Sequence, residues 1–115
     1  MPGEKLKKTQ EDHREKFLLV FVNEDQNEDD VVEGELEGLV DAAGGVVVGS
    51  ARQRVDRPYK GTYIGSGKVE EVRDACAEVQ ADGVIFDCEL SGIQIRNLEE
   101  IIGKRVLDRT QLILD

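Results

Sequence analysis

Residues 17–22 read FLLVFV, six positions without one polar side chain. A run of that length, rich in aromatic and branched residues, suits a strand better than a helix. A strand with one wet face alternates apolar and polar residues, and this one does not. Both of its faces must be covered, which is the habit of parallel sheets flanked by helices.

The pattern on either side agrees. NEDQNEDD, residues 23–30, reads as an acidic loop, and a helix is expected over 31–43. Its apolar stripe is Val32, Leu36, Leu39, Val40 and Ala43. Asp30 and Glu33 have capping-box spacing, and Gly44-Gly45 ends the helix. Gly34 and Gly38 lie one turn apart inside it, where each costs about 1 kcal/mol against Ala unless a partner approaches closely. A second strand is expected over 46–52. A long connection, 53–65, follows, with a short extended piece at 62–64; most such loops have about 2–6 residues. The next helix spans 67–80 with Ser66 as N-cap and Val69, Val72, Cys76 and Val79 buried. GVIFDC, 83–88, is a third strand. Ser91 and Gln94 form a capping box for a helix that buries Ile95, Leu98 and Ile102 and stops at Gly103. A short strand is expected over 105–108.

The order β-α-β-α-β-α-β gives an α/β fold: a four-stranded, mainly parallel open sheet with helices on both faces. A flavodoxin-like order 2-1-3-4 is expected, although the pattern alone leaves 1-2-3-4 open. The chain of 115 residues is sized for one domain, and with five aromatics and no Trp its core must be aliphatic. Three segments are expected: a mobile charged tail over 1–16, an α/β subdomain over 17–108, and the start of a further helical segment over 109–115. No stretch approaches the ~18 apolar residues of a membrane span, and the first residues lack a signal peptide's apolar run. Cys76 and Cys88 read as free buried thiols of a reduced cytoplasm. His13 is the one histidine, so neither a zinc site nor a histidine-based catalytic arrangement is expected. No catalytic residue is assigned, and the chain by itself is not expected to be an enzyme.

The net charge of −10 argues against a simple nucleic-acid binder, but it is unevenly spread. Residues 24–37 carry eight acids and no base, whereas 49–68 carry Arg52, Arg54, Arg57, Lys60 and Lys68 against Asp56 alone. In that basic stretch Tyr59 and Tyr63 accompany the cations, a combination suited to phosphate contact and base stacking. The competing reading is a solvated loop whose arginines pair with the acidic helix. At its end GSGK, 65–68, resembles a phosphate loop and fails the test for one: Thr62 stands where the first Gly belongs and Val69 where a hydroxyl must bind magnesium. The dinucleotide pattern fails at Glu70. What remains is a helix start, with Gly65, Ser66, Gly67 and Lys68 as a candidate anion site. Asp87 and Asp108, at strand ends, combine with Glu24 and Asp25 on paper into the acidic pocket of a phospho-receiver, but too few residues follow for five strands. The plainer reading is that both cap neighbouring turns.

The stretches 35–72, 81–115 and 17–22, with TYIGSGKVEE, IFDCELS, RNLE and VLDRTQLILD as the most distinctive parts, resemble the amino-terminal region of the HflX family of ribosome-associated GTPases. That resemblance implies an N-terminal α/β subdomain followed, outside this sequence, by a helical hairpin and a GTPase domain. GTP and magnesium are implied as that domain's cofactors, with none in this chain. The implied partners are the large ribosomal subunit with its rRNA and the protein's own GTPase domain. The implied role is docking and regulation in ribosome splitting or rescue, in the cytoplasm. Arg52, Arg54, Arg57, Tyr59, Lys60, Tyr63 and Lys68 are the RNA-contact candidates. An adenine-nucleotide activity attributed to this region in some members makes the alternative a small nucleotide-binding regulatory domain using 65–68.

Overall fold

A computed structural model describes residues 14–22, 29–55 and 57–114, with the backbone alone at 29–33 and 112–114. His13, Asp56 and most of the acidic loop, including Glu24 and Asp25, lie outside the described residues, as does the side chain of Val32. Four strands, β1 (Lys16–Phe21), β2 (Val46–Arg52), β3 (Gly83–Phe86) and β4 (Arg105–Asp108), form one sheet in the order β2-β1-β3-β4. Every pairing is parallel. The helices are α1 (Asp29–Ala42), α2 (Ser66–Val79), α3 (Gly92–Ile102) and the short α4 (Arg109–Leu114).

The apolar run at 17–22 sits at the centre of this arrangement, between β2 and β3. Leu18, Val20 and Val22 enter one core with Val69, Val72 and Cys76 of α2, Leu98 and Ile102 of α3, and Val84 and Phe86 of β3. Phe17, Leu19 and Phe21 enter a second core with Leu36 and Val40 of α1, Ile85 and Leu107. The side-chain period of two thus divides one strand between two helical layers. The switch from leftward to rightward strand placement falls between β1 and β3, where α/β sheets leave a crevice at the carboxyl ends of their strands.

Local signals explain the helix ends. Behind α1, Gly44 takes φ 87°, and the amides of Gly45 and Gly44 donate to the carbonyls of Val40 (2.9 Å) and Asp41 (3.0 Å), a Schellman closure. Gly45 is further required by packing, since a Cβ there would lie 2.8 Å from the Phe17 ring. α2 closes in the same way with Gln80 at φ 57° and Ala81 N–H bonded to Cys76 C=O. α3 has the full Ser91–Gln94 capping box and ends at Gly103, φ 76°.

Several sequence expectations need correction. α1 starts at Asp29, so Asp30 lies within its first turn and not ahead of it as a cap. Gly34 and Gly38 have open space where a side chain would stand, so no partner within the described residues requires them. α2 is capped by Gly65, not Ser66, with no side-chain cap bond. Residues 62–64 form no extended piece: Tyr63 adopts φ 68° in a tight turn closed by an antiparallel Tyr59–Tyr63 bridge. β3 ends at Phe86; the Asp87 N–H still donates to Val20 C=O at 3.1 Å, and the chain bends at Asp87 and Cys88. β1 begins at Lys16, whose N–H donates to Asp82 (2.8 Å), and Glu15 pairs with Arg105 at 3.2 Å.

Candidate functional site

Of the connection 53–65, residues 53–55 leave β2 at one end of the sheet and residues 57–65 lead into α2. Gln53 N–H donates to Phe21 C=O at 2.8 Å, which extends the β1–β2 pairing by one bond. Val55 and Tyr63 pack against the first core, and Ile64 is fully buried in it. Thr62 Oγ1 donates to Ile64 C=O at 2.7 Å and tightens the last bend. An apolar anchor, a bridge and a turn therefore hold a loop whose exposed flank is basic.

Between this loop and the start of α2 lies an open groove of about 720 Å³. Arg54, Arg57, Tyr59, Gly65, Gly67 and Lys68 line it, together with Gln53, Val55 and Glu71. Tyr59 is 59% exposed, and its ring lies beside Gly65, where a Cβ would meet it at 3.6 Å. Val69 N–H makes the first helical bond to Gly65 C=O (3.0 Å). The amides of the first turn ahead of it have no partner in the helix ladder, and no side chain caps them. Lys68 is largely covered and pairs with Glu71 at 3.3 Å, so part of its charge is already answered within the groove.

Of the residues singled out from sequence, Arg54, Arg57, Tyr59, Gly65, Gly67 and Lys68 come together here, while Arg52, Lys60, Tyr63 and Ser66 do not line the groove. The Arg52 guanidinium sits 4.9 Å from the Phe21 ring centroid, beside the second core. Tyr63 packs against the first core on the Cys88 side. Its hydroxyl pKa is raised, first by burial and then by Cys88 and Asp87. The acidic helix α1 covers the opposite face of the sheet, and its Glu35 pairs with Arg109 at 2.8 Å.

The strand-end carboxylates are structural braces. Asp87 Oδ1 accepts the N–H of Val22 at 2.9 Å and so ties the end of β1 to β3. Asp108 accepts the amides of Leu90 (3.0 Å) and Gln111 (2.8 Å), which fixes the β3–α3 loop and caps α4. Both are buried.

Two residues that sequence reasoning passed over hold the loop in place. Gln94 Nε2 donates to Tyr59 C=O at 2.8 Å, and Asn97 Nδ2 donates to Gly61 C=O at 2.9 Å. The capping box pointed to Gln94 for another reason. The one signal at Asn97 is a short amide inside a helix, a position such side chains disfavour.

Comparison with known proteins places the chain. The family described as GTP-binding GTPase N-terminal matches residues 32–115. GTPase HflX of Lacrimispora saccharolytica is 44% identical over 104 residues, covering 88% of this chain and 24% of that protein. GTPase HflX of Escherichia coli is 38% identical over 108 residues, covering 90% and 24%. The chain thus spans about a quarter of the length of the curated relatives it matches. A GTP-binding protein from Sulfolobus solfataricus, solved in complex with GDP, superposes with a TM-score of 0.60 at 22% identity, covering 86% of this chain and 29% of that one. At that identity the likeness is one of fold, and it agrees with the parallel 2-1-3-4 sheet. The sequence match across most of its length shows that the chain belongs to the HflX family of GTPases, as part of that family's N-terminal region.

Proposed function

We propose that this domain is the ribosome- and RNA-docking and regulatory module of an HflX-like GTPase that acts on the large ribosomal subunit in the cytoplasm, in ribosome splitting or rescue. The observation that carries the reading is the groove: Arg54, Arg57 and Lys68 gathered beside an exposed Tyr59 on an ordered loop, with the acidic helix on the other face of the sheet. Cations placed this way neutralise phosphates, and the ring offers a base a stacking surface. Residues 17–108 are the docking subdomain, and 109–115 begin the segment leading to the hairpin and the GTPase domain. That domain holds GTP and magnesium and performs the hydrolysis. Charge reversal at Arg54 and Arg57 in the whole GTPase is expected to weaken binding to large ribosomal subunits roughly tenfold or more. Unchanged binding in sedimentation assays sinks the assignment.

A second reading, a nucleotide phosphate bound at 65–68, has the uncapped amides of α2 in its favour and the Lys68–Glu71 pair against it. Saturable ATP or GTP binding by the chain, lost in Lys68→Ala, is the result it requires. No binding in a calorimetric titration removes it.

A further inference from the structure

The turn 59–63 is closed on itself by reciprocal backbone bonds between Tyr59 and Tyr63, at 3.1 and 2.9 Å. It is not held by local preference alone. Tyr63 sits at φ 68°, a region that costs a residue with a Cβ roughly 1 kcal/mol or more and that persists where surrounding contacts over-determine it. Besides the core packing of Tyr63 and Ile64, two of those contacts come from α3, which contributes no residue to the groove lining. Gln94 is used twice: its Oε1 accepts the Ser91 N–H at 2.9 Å in the helix cap, and its Nε2 holds the carbonyl of Tyr59. One turn later Asn97 holds Gly61. The cap of α3 and the position of the loop are one hydrogen-bonded unit.

We propose that Gln94 and Asn97 are positioning residues of the groove, fixing the turn 59–63 so that Tyr59 and the cations Arg54, Arg57 and Lys68 form one pre-arranged surface for a single RNA strand. The proposal rests on the docking reading above. A loop already ordered loses less freedom when a strand binds, and the difference is felt as affinity. Neither amide is charged, so neither changes the number of phosphates neutralised. Their loss therefore weakens binding without altering its salt dependence, which separates a positioning role from loss of the cation contacts themselves.

The test uses the 115-residue chain with poly(U) as probe. Asn97→Leu keeps size and neutrality and removes the donor. Gln94→Glu keeps an acceptor for the Ser91 cap and loses the donor to Tyr59; it serves the hydrogen-exchange arm, because its charge would alter binding. Amide exchange at Tyr59 and Tyr63 is expected to rise about two- to tenfold, the range set by one lost hydrogen bond. Poly(U) affinity of Asn97→Leu is expected to fall by a similar factor with an unchanged log–log salt slope. Should Asn97→Leu fail to fold, Asn97→Gln, which keeps a donor on a longer arm, is expected to show intermediate exchange and affinity. Unchanged exchange overturns the proposal. So does faster exchange with unchanged affinity, while Arg54→Glu/Arg57→Glu still abolishes binding and leaves the docking reading intact. A shallower slope shows that cation–phosphate contacts are lost with the amide and also overturns it. Binding indifferent to the arginine reversal removes the docking reading and the proposal together.

Discussion

Cys88 shows how position alters chemistry at a single residue. Burial, and then the adjacent Asp87 carboxylate, oppose its thiolate and push the thiol up to about 12, while the Tyr63 hydroxyl pulls modestly the other way. In the unfolded chain the same thiol ionises near its ordinary value of about 8.5. Below that pH both states are neutral and the difference is silent. As pH rises through 9 toward 12 the unfolded state ionises first, so the fold loses stability over that window. Denaturant unfolding at pH 7, 9 and 10.5 should show this decline, and Cys88→Ala should make it shallower, the remainder belonging to Cys76 and Tyr63, whose pKa values burial also raises. The same raised pKa makes Cys88 slow toward iodoacetamide at pH 8 in the native protein and ordinary in urea, because the thiolate is the reacting species. Fast native alkylation contradicts the placement. Spacing placed Cys76 in a buried stripe, but Cys88 lies past the end of β3, and its partners Tyr63 and Asp87 are distant or invisible to any periodic pattern.

At the scale of elements, most boundaries were legible because each carries its own chemistry. Gly44-Gly45, Ser91 with Gln94, and Gly103 act within a few residues of themselves, and all three appear where expected. α2 departs from this: Ser66 has the right side chain for a cap, but the buried Ile64 and the turn before it fix the helix start at Gly65. α1 poses the reverse case. Its Gly34 and Gly38 lower helix propensity, and nothing in the described structure occupies the space they leave. Replacing each with Ala is expected to stabilise the chain by about 0.5–1 kcal/mol, read as a higher denaturation midpoint at constant m-value. Loss of stability in either variant would mean that a contact outside the described residues needs the gap. If the whole GTPase gains stability but loses ribosome binding, the gap is part of an interface.

For the whole molecule, net charge and charge placement pull in opposite directions. A chain at −10 is repelled from RNA at long range, and only a segregated basic surface gives it a short-range attraction. The sheet supplies that segregation by covering its two faces with different helices. α1 and α4 lie on one side, joined by the Glu35–Arg109 pair, and α2 and α3 lie on the other with the basic loop. The proposed docking therefore has a steep salt dependence, and removing two phosphate contacts with the Arg54 and Arg57 reversal should make the slope shallower by roughly 1.5–2. The fold itself was written in the sequence. FLLVFV demanded cover on both faces, and the stripes of α2 and α3 supplied half of that cover. These features act over one strand or a few helical turns, so periodicity alone reveals them. Tertiary structure decided the strand order among the open alternatives, which of the basic residues share a groove, and the use of Gln94 and Asn97 to hold it. The tethers join residues more than thirty positions apart, as with Tyr59 and Gln94, and all three outcomes depend on how the layers pack, which no local pattern encodes.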